Sequence, residues 1–273
     1  MPRRDNDPDF IEAVARGLDV LTAFPPGRQV MTLSEIAATT ELARPTVRRI
    51  LVTLEALGYT RSVSGGFMLT PRVLEIGLTY VQSIGLWDVA RPHLERLVGR
   101  THESSSIAQL DGSDIIYVAR VAVPKIIALA VQIGTRFPAP PTSLGKVLLS
   151  DLDPTELGRV LAQPSRSGIT PRHHLDEAEL GRVLRDVRAK GWAHTDEQLA
   201  GGIRSVAAPL RDGSGRVIAA MNVTVHAAET SVETLLDEYL PLLVQTASEI
   251  SAEYALMDQV PSVVVAGHAD ERH

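Results

Sequence analysis

Apolar positions in the first eighty residues recur at helical spacing, then give way to short β-prone runs. Phe10 to Phe24 reads as an amphipathic helix. Ile11, Val14, Ala15, Leu18, Val20 and Leu21 supply most of its apolar contacts, and Pro25-Pro26-Gly27 ends it. Thr32 followed three residues later by Glu35 predicts a capping box that opens a second helix through Leu33, Ile36 and Ala37, closed by Thr39-Thr40-Glu41. Leu42-Ala43 makes a turn, and Pro45 suits the first turn of a third helix, where its missing N–H costs nothing. Val47, Ile50, Leu51, Leu54 and Leu57 share one face of that helix; Pro45, Arg48, Arg49, Val52 and Thr53 point elsewhere; Gly58 stops it. Tyr59 to Val63 and Phe67 to Leu69 flank Ser64-Gly65-Gly66, a hairpin turn. Helix, turn, helix and hairpin outline a winged helix-turn-helix, which lays one helix against a duplex groove.

Beyond Pro71 the pattern predicts a helix from Val73 to about Ser83 that is apolar on more than one face, as expected of a linker that also packs on a partner subunit. Helices and strands then alternate. Helices are predicted at Asp88–Gly99, Thr142–Ser150, Asp153–Ala162, Asp176–Gly191 and Ser231–Met257. Strands are predicted at Ser104–Leu110 and Ile115–Val121 around Asp111-Gly112-Ser113, at Ile126–Ile133, and at Ser205–Leu210 and Val217–Val225 around Asp212-Gly213-Ser214-Gly215, with a rigid loop at Pro138–Pro141. Hairpins imply a mainly antiparallel sheet with helices beside it, an α+β class. The predicted division is a DNA-binding domain over 1–70, a linker helix over 71–86, an effector-binding domain over 87–258 and a disordered tail over 259–273. Residues 1–8 are polar and also read as disordered.

Charge changes the picture. From Arg44 to Arg72 stand five arginines (Arg44, Arg48, Arg49, Arg61, Arg72) and one acid, Glu55. The chain as a whole carries −6, and the negative excess falls after residue 80. A local basic patch on an acidic chain points to a targeted electrostatic footprint on nucleic acid. Thr46, Arg48 and Arg49 are best placed to reach base edges, with Pro45 and Thr53 on the same exposed side; Arg44, Arg61 and Arg72 suit phosphates. There are no cysteines, which removes disulfides, thiolate metal sites and cysteine nucleophiles and suits a reducing cytoplasm. No apolar run reaches the roughly 20 residues that cross a bilayer, and the first ten residues lack the apolar core of a signal peptide.

Candidate chemistry is thin. Ser143-Leu144-Gly145-Lys146 matches the Ser-x-x-Lys pattern of acyl-transfer enzymes but lacks its companion Ser-Asp-Asn and Lys-Thr-Gly elements. His173-His174, His102-Glu103 and His194-x-Asp196 each lack the further ligands a metal needs. No catalytic residue, metal or cofactor is expected. Small and polar residues remain at loop starts and strand ends: Thr142, Ser143 and Gly145; Thr195, Asp196 and Gln198; Ser205, Asn222 and Thr224. Asn222 and Thr224 share a strand face. That pair either lines a pocket for a small polar ligand or satisfies buried backbone groups, and spacing leaves both open. Two rival functions stand beside the regulator: a ligand-sensing module without DNA binding, and a hydrolase-type enzyme using Ser143 and Lys146.

Three segments in order, LSEIAATTELARPTVRRILVTLEALGYTRS, GTRFPAPPTSLGKVLLS and GWAHTDEQLAGGIRSVAAPLRDGSGRVIAAMNVTV, resemble the IclR family of bacterial transcriptional regulators over roughly residues 10–256. The resemblance implies a C-terminal GAF-like effector domain, a homodimer or dimer of dimers formed partly through the N-terminal domain and linker helix, and control of a catabolic operon by a small organic acid or aromatic compound. It carries effector roles onto Ser143, Leu144 and Gly145, onto Thr195, Asp196 and Gln198, and onto Ser205, Asn222 and Thr224; Arg204 or Arg136 is the expected partner of a ligand carboxylate. Thr195 and Asn222 depart from the glyoxylate-shunt regulators, and GGIRSVAAPLRD with AAMNVTVH is most similar to the subgroup that controls aromatic ring cleavage.

Overall fold

The computed structural model describes residues 9–25, 27–77, 85–124 and 131–257. The chain divides into two compact units, Met1–Ile84 and Gly85–His273. The predicted tails, residues 1–8 and 259–273, lie outside the described residues, as do most of the predicted linker helix and of the predicted strand Ile126–Ile133.

In the first unit, α1 (Glu12–Thr22), α2 (Leu33–Thr40) and α3 (Arg44–Ala56) bury one core of Val20, Met31, Ile36, Val47, Leu51 and Leu54. The capping box forms as the spacing predicts: the Thr32 hydroxyl accepts from the Glu35 amide at 3.3 Å, and the Glu35 carboxylate accepts from the Thr32 amide at 2.9 Å. Those bonds and Arg28 hold the Glu35 pKa down to about 2. The left-handed Glu41 (φ 56°) ends α2, and Ala43, in extended conformation, leads directly into α3. Strands β1 (Thr60–Val63) and β2 (Gly66–Leu69) pair antiparallel, so the hairpin turn is Ser64-Gly65 and Gly66 already belongs to β2. Met31 bridges to Phe67 through two backbone hydrogen bonds of 2.8 and 3.0 Å. Gly66 permits this: a Cβ there would stand 2.3 Å from the Met31 carbonyl oxygen. Val73 to Gly77 then turn helical, as far as the described residues extend.

The second unit is built on a six-stranded antiparallel sheet in the order β5-β4-β3-β8-β7-β6. Its strands are β3 (Ser104–Asp111), β4 (Asp114–Val121), β5 (Arg136–Pro138), β6 (Ala193–Asp196), β7 (Ile203–Arg211) and β8 (Val217–His226). The two long hairpins stand as predicted. The edge strands β5 and β6 are not in the sequence reading: three and four residues give too few alternations to register as a period. Pro138 ends β5 at a sheet edge, where its missing donor is tolerated, so the predicted loop begins one residue later.

Alternation divides the sheet residues between two faces. One face (Val206, Ala208, Leu210, Met221, Val223, Val225) is packed by α4 (Leu86–Thr101) and by the closing helix. That helix begins at Val232–Thr234, passes through a π-helical turn at Leu235–Tyr239 and continues as α8 (Leu240–Met257). The other face (Ala108, Ile115, Tyr117, Ala207, Ala220) is packed by α5 (Ser143–Asp151), which α7 (Glu177–Lys190) covers in turn; α6 (Pro154–Leu161) adds partly buried leucines and Val160 to the same core. Every α5 residue from Ser143 to Ser150 is buried, which its nearly continuous apolar run Val147-Leu148-Leu149 allows. Among the described residues no helix is long and apolar enough to cross a membrane.

Candidate functional site

In the first unit, the α3 face away from the core exposes Arg44, Pro45, Arg48, Arg49, Val52 and Thr53, as predicted from spacing. Thr46, Arg49 and Thr53 line a cleft of about 520 Å³ against Glu12, Ala13 and Arg16 of α1, whereas Arg48 lies outside it. The Thr53 hydroxyl donates back to the Arg49 carbonyl at 3.0 Å. Glu55, the one acid of the basic stretch, accepts from the Ser62 amide and hydroxyl at 2.7 and 3.0 Å and so ties the hairpin to α3. Arg61 is exposed on β1. Arg72 is occupied: it donates to the Leu57 carbonyl at 2.9 Å, lies over the Tyr59 ring at 5.4 Å and reaches Glu75 at 3.4 Å. Its first role is to cap the C-terminal end of α3, where a cation also meets the helix dipole favourably.

In the second unit, a cavity of about 70 Å³ opens between the α5 N-terminus and the facing sheet surface. Its floor is polar because of the register. Ser104, Thr224, Ser205 and Thr195 are consecutive cross-strand partners on β3, β8, β7 and β6, and Arg120, Ser106 and Asn222 form the next row on β4, β3 and β8. Ser143 at the start of α5 closes over the first row. Its Oγ lies 2.7 Å from Ser205 Oγ, which lies 2.9 Å from Thr195 Oγ1. Apolar walls come from Tyr117, Val131, Phe137, Leu144 and Leu199, with the Tyr117 and Phe137 rings edge to face at 5.7 Å. Burial pushes the Tyr117 phenol up, against the opposing field of Arg120.

Asn222 does both things that spacing left open. It lines the cavity, and its amide accepts from the Ser106 backbone N–H at 3.1 Å and donates to Thr224 Oγ1 at 2.9 Å. The predicted effector residues therefore separate. Ser143, Leu144, Thr195, Ser205, Asn222 and Thr224 line the cavity; Gly145, Asp196, Gln198 and Arg204 do not. Gly145 lets the Pro138–Pro141 turn lie against α5, since a Cβ would stand 2.0 Å from the Ala139 carbonyl oxygen.

Arg204 cannot hold the ligand from where it stands. It sits one residue from Ser205 and so on the other face of β7, bound to Asp196 at 2.5 Å and to the carbonyls of Ala227 and Thr230 at 3.1 and 2.9 Å. Arg136 is likewise committed, to Asp111 and, at 3.7 Å, to Asp114. The arginine that does line the cavity, Arg120, is absent from the sequence reading. Val118 is an extra residue opposite the Ile107/Ala108 step, a β-bulge, so Tyr117 and Arg120, three apart, share a face that strict alternation denies them.

Ser143 and Lys146 do not form a dyad. The Ser143 hydroxyl meets Ser205, while Lys146 Nζ donates to Gln198 Oε1 at 2.5 Å. Burial pulls the Lys146 pKa down to about 8. Among the described residues no group of three or more His, Cys, Asp or Glu is placed to hold a metal ion.

Comparison with known proteins fits both sites. Residues 13–64 match the IclR helix-turn-helix domain, and residues 78–252 match the C-terminal domain of the bacterial transcriptional regulator IclR. The chain is 38% identical over 245 residues to the Pca regulon regulatory protein of Pseudomonas putida, covering 89% of this chain and 84% of that one. It is 33% identical over 247 residues to the p-hydroxybenzoate hydroxylase transcriptional activator of Acinetobacter baylyi, covering 89% and 91%. An IclR homologue from Microbacterium hydrocarbonoxydans, solved in complex with 4-hydroxybenzoate, superposes with a TM-score of 0.77 at 24% identity, covering 89% of this chain and 99% of that one, and shares its fold. These relatives are regulators rather than enzymes. With a helix-turn-helix in the first unit and a polar-floored cavity in the second, each matched over most of its length, the chain belongs to the IclR family of bacterial transcriptional regulators.

Proposed function

We propose that this regulator binds an operator of an operon for aromatic-acid catabolism in the cytoplasm, and that a small aromatic acid in the C-terminal cavity sets its activity. The observation that carries the reading is the cavity itself: the polar strand positions Ser205, Asn222 and Thr224 open onto space rather than onto packed side chains. The names of the relatives support the aromatic assignment. Residues 1–70 act as the DNA-binding domain, 71–86 as the linker helix and 87–258 as the effector domain. Helix α3 enters the major groove, with Arg48, Arg49 and Thr46 toward bases, Pro45 and Thr53 beside them, and Arg44 and Arg61 on phosphates. Arg72 reaches a phosphate only with the edge of its guanidinium that Leu57 leaves unused.

The working form is a homodimer or a dimer of dimers, so that two α3 helices meet successive grooves of a near-palindromic site. Phe10, Ile11, Val14 and Leu18 favour this: they form an exposed apolar stripe along α1, with Ile11 66% exposed. The effector regulates by binding one arrangement of the paired reading helices more tightly than another.

The test is gel retardation of an operator fragment enriched from random-sequence DNA, across a salt series. Wild type retards it with a steep inverse salt dependence. The Arg48→Ala, Arg49→Ala double variant loses affinity, and its salt slope falls by about 0.9 for each phosphate contact removed. Equal retardation by wild type and the double variant refutes the assignment of α3.

A further inference from the structure

We propose that Arg120 is the anion anchor of the C-terminal cavity and that its ligand is a hydroxylated aromatic monocarboxylate, held at the carboxylate by Arg120 and at the ring hydroxyl by Ser143, Ser205 and Thr195. The inference rests on the effector-pocket reading above and deepens it.

Charge accounting singles out Arg120. Among the described residues it is the only lysine or arginine lining the cavity. Arg136 and Arg204 each face a carboxylate, whereas the partner of Arg120 is a neutral hydroxyl, Ser106 Oγ at 2.8 Å. A guanidinium carries five N–H donors in a fork that matches a carboxylate, and one such bond leaves most of them to be met. Arg120 is also partly desolvated, which lowers its pKa, and a desolvated cation without a counter-charge is costly. Glu103 lines the same cavity but is itself engaged.

The opposite end has a different chemistry. The hydroxyls of Ser143, Ser205 and Thr195 touch one another, carry no charge, and can each donate or accept. That set suits a neutral hydroxyl. Between the ends lie the Tyr117–Phe137 ring pair and Leu144, a wall for a flat apolar body. Ser106 on β3 and Ser205 on β7 are separated by β8, two strand spacings or roughly 10 Å. One aromatic ring substituted at opposite ends, with a hydrogen bond at each, covers that span. The cavity of about 70 Å³ is smaller than the roughly 150 Å³ that accepts benzene in an engineered protein core, so the ring widens the cavity as it enters. A ligand that must displace its walls differs in affinity between cavity shapes, which regulation requires.

The experiment is calorimetric titration of the full chain with 4-hydroxybenzoate, 3,4-dihydroxybenzoate, benzoate and the neutral isostere 4-hydroxybenzamide. Wild type binds at least one hydroxylated acid, at least about tenfold more tightly than the amide. Arg120→Gln brings the acid down to the amide; Arg120→Lys, which keeps the charge but not the fork, retains part of the preference. A melting curve of each free variant checks folding, and if Arg120→Gln does not fold, Arg120→Lys and Ser106→Ala carry the comparison through a reduced acid-to-amide ratio. An unchanged ratio in the folded variants overturns the anchor, and failure of every acid to bind wild type overturns the ligand class. Operator retardation without ligand is measured in parallel. Its absence in wild type defeats the regulator reading while leaving the ligand ratios legible.

Discussion

Ser143 and Ser205, sixty-two positions apart in sequence, share a hydrogen bond of 2.7 Å that joins the first turn of α5 to the centre of the sheet. Ser205 also meets Thr195 at 2.9 Å, so it is the middle member of a buried hydroxyl trio. Ser205→Ala leaves both neighbours short of a partner. Stability is expected to fall by about 1–3 kcal/mol in urea titration, and affinity for a hydroxylated acid to fall while affinity for benzoate holds. Equal losses for both ligands contradict a role at the hydroxyl end.

Gly145 predicts a sharper effect. An added Cβ meets a backbone oxygen that cannot swing aside, so Gly145→Ala forces α5 off the Ala139 turn. The expected cost is about 3 kcal/mol or more, read as a drop in melting temperature. Gly158→Ala is the control: it has open space and a helical setting, and is expected to be neutral or stabilising by up to about 1 kcal/mol.

Lys146 makes stability depend on pH in the alkaline range. Its pKa is about 8 in the folded chain against 10.5 for a free lysine, so between those values the unfolded chain binds more protons. Stability therefore rises with pH across that window, by at most about 3 kcal/mol, and below pH 8 the burial cost is fully present. Tyr117 opposes above its ordinary value of 10.0, because its raised folded pKa makes stability fall there as pH climbs. Chemical denaturation at pH 7.5 and 9.5 should show a rise in wild type that Lys146→Met lacks.

The α1 stripe predicts an assembly phenotype. Val14→Glu with Leu18→Glu places two charges on side chains that are 58% and 54% exposed in the single chain, so folding is little affected. Sedimentation is expected to show a smaller species, with weaker operator retardation and unchanged effector titration. A variant that sediments as wild type removes α1 from the interface.

Much of the first unit was legible because its signals are local. The Thr32–Glu35 capping box, Pro45 in the first turn of α3 and the buried Val47, Leu51 and Leu54 each depend on residues within two turns of one another. The long hairpins of the second unit were legible for the same reason. The site was half legible. Thr195, Ser205, Asn222 and Thr224 could be picked out as polar positions in apolar strands, but which residues of β6 and β7 face inward depends on a register set between strands. Asp196 and Arg204, in the same short segments, fall on the far face and pair with each other. A charged residue near a pocket segment looks like a ligand contact until its cross-strand partner is known. The edge strands β5 and β6 were too short to declare themselves.

The extra residue at Val118 has a consequence for evolution as well as for geometry. Removing it would restore plain alternation downstream, turning Arg120 toward the layer beneath α4 and bringing Ala119 to the cavity. The acid preference proposed for this receptor therefore depends on chain length at one point in β4 as much as on having an arginine there. A homologue that retained the arginine but lost the insertion would present a blank, neutral floor, and could drift toward uncharged inducers without changing a single contact residue.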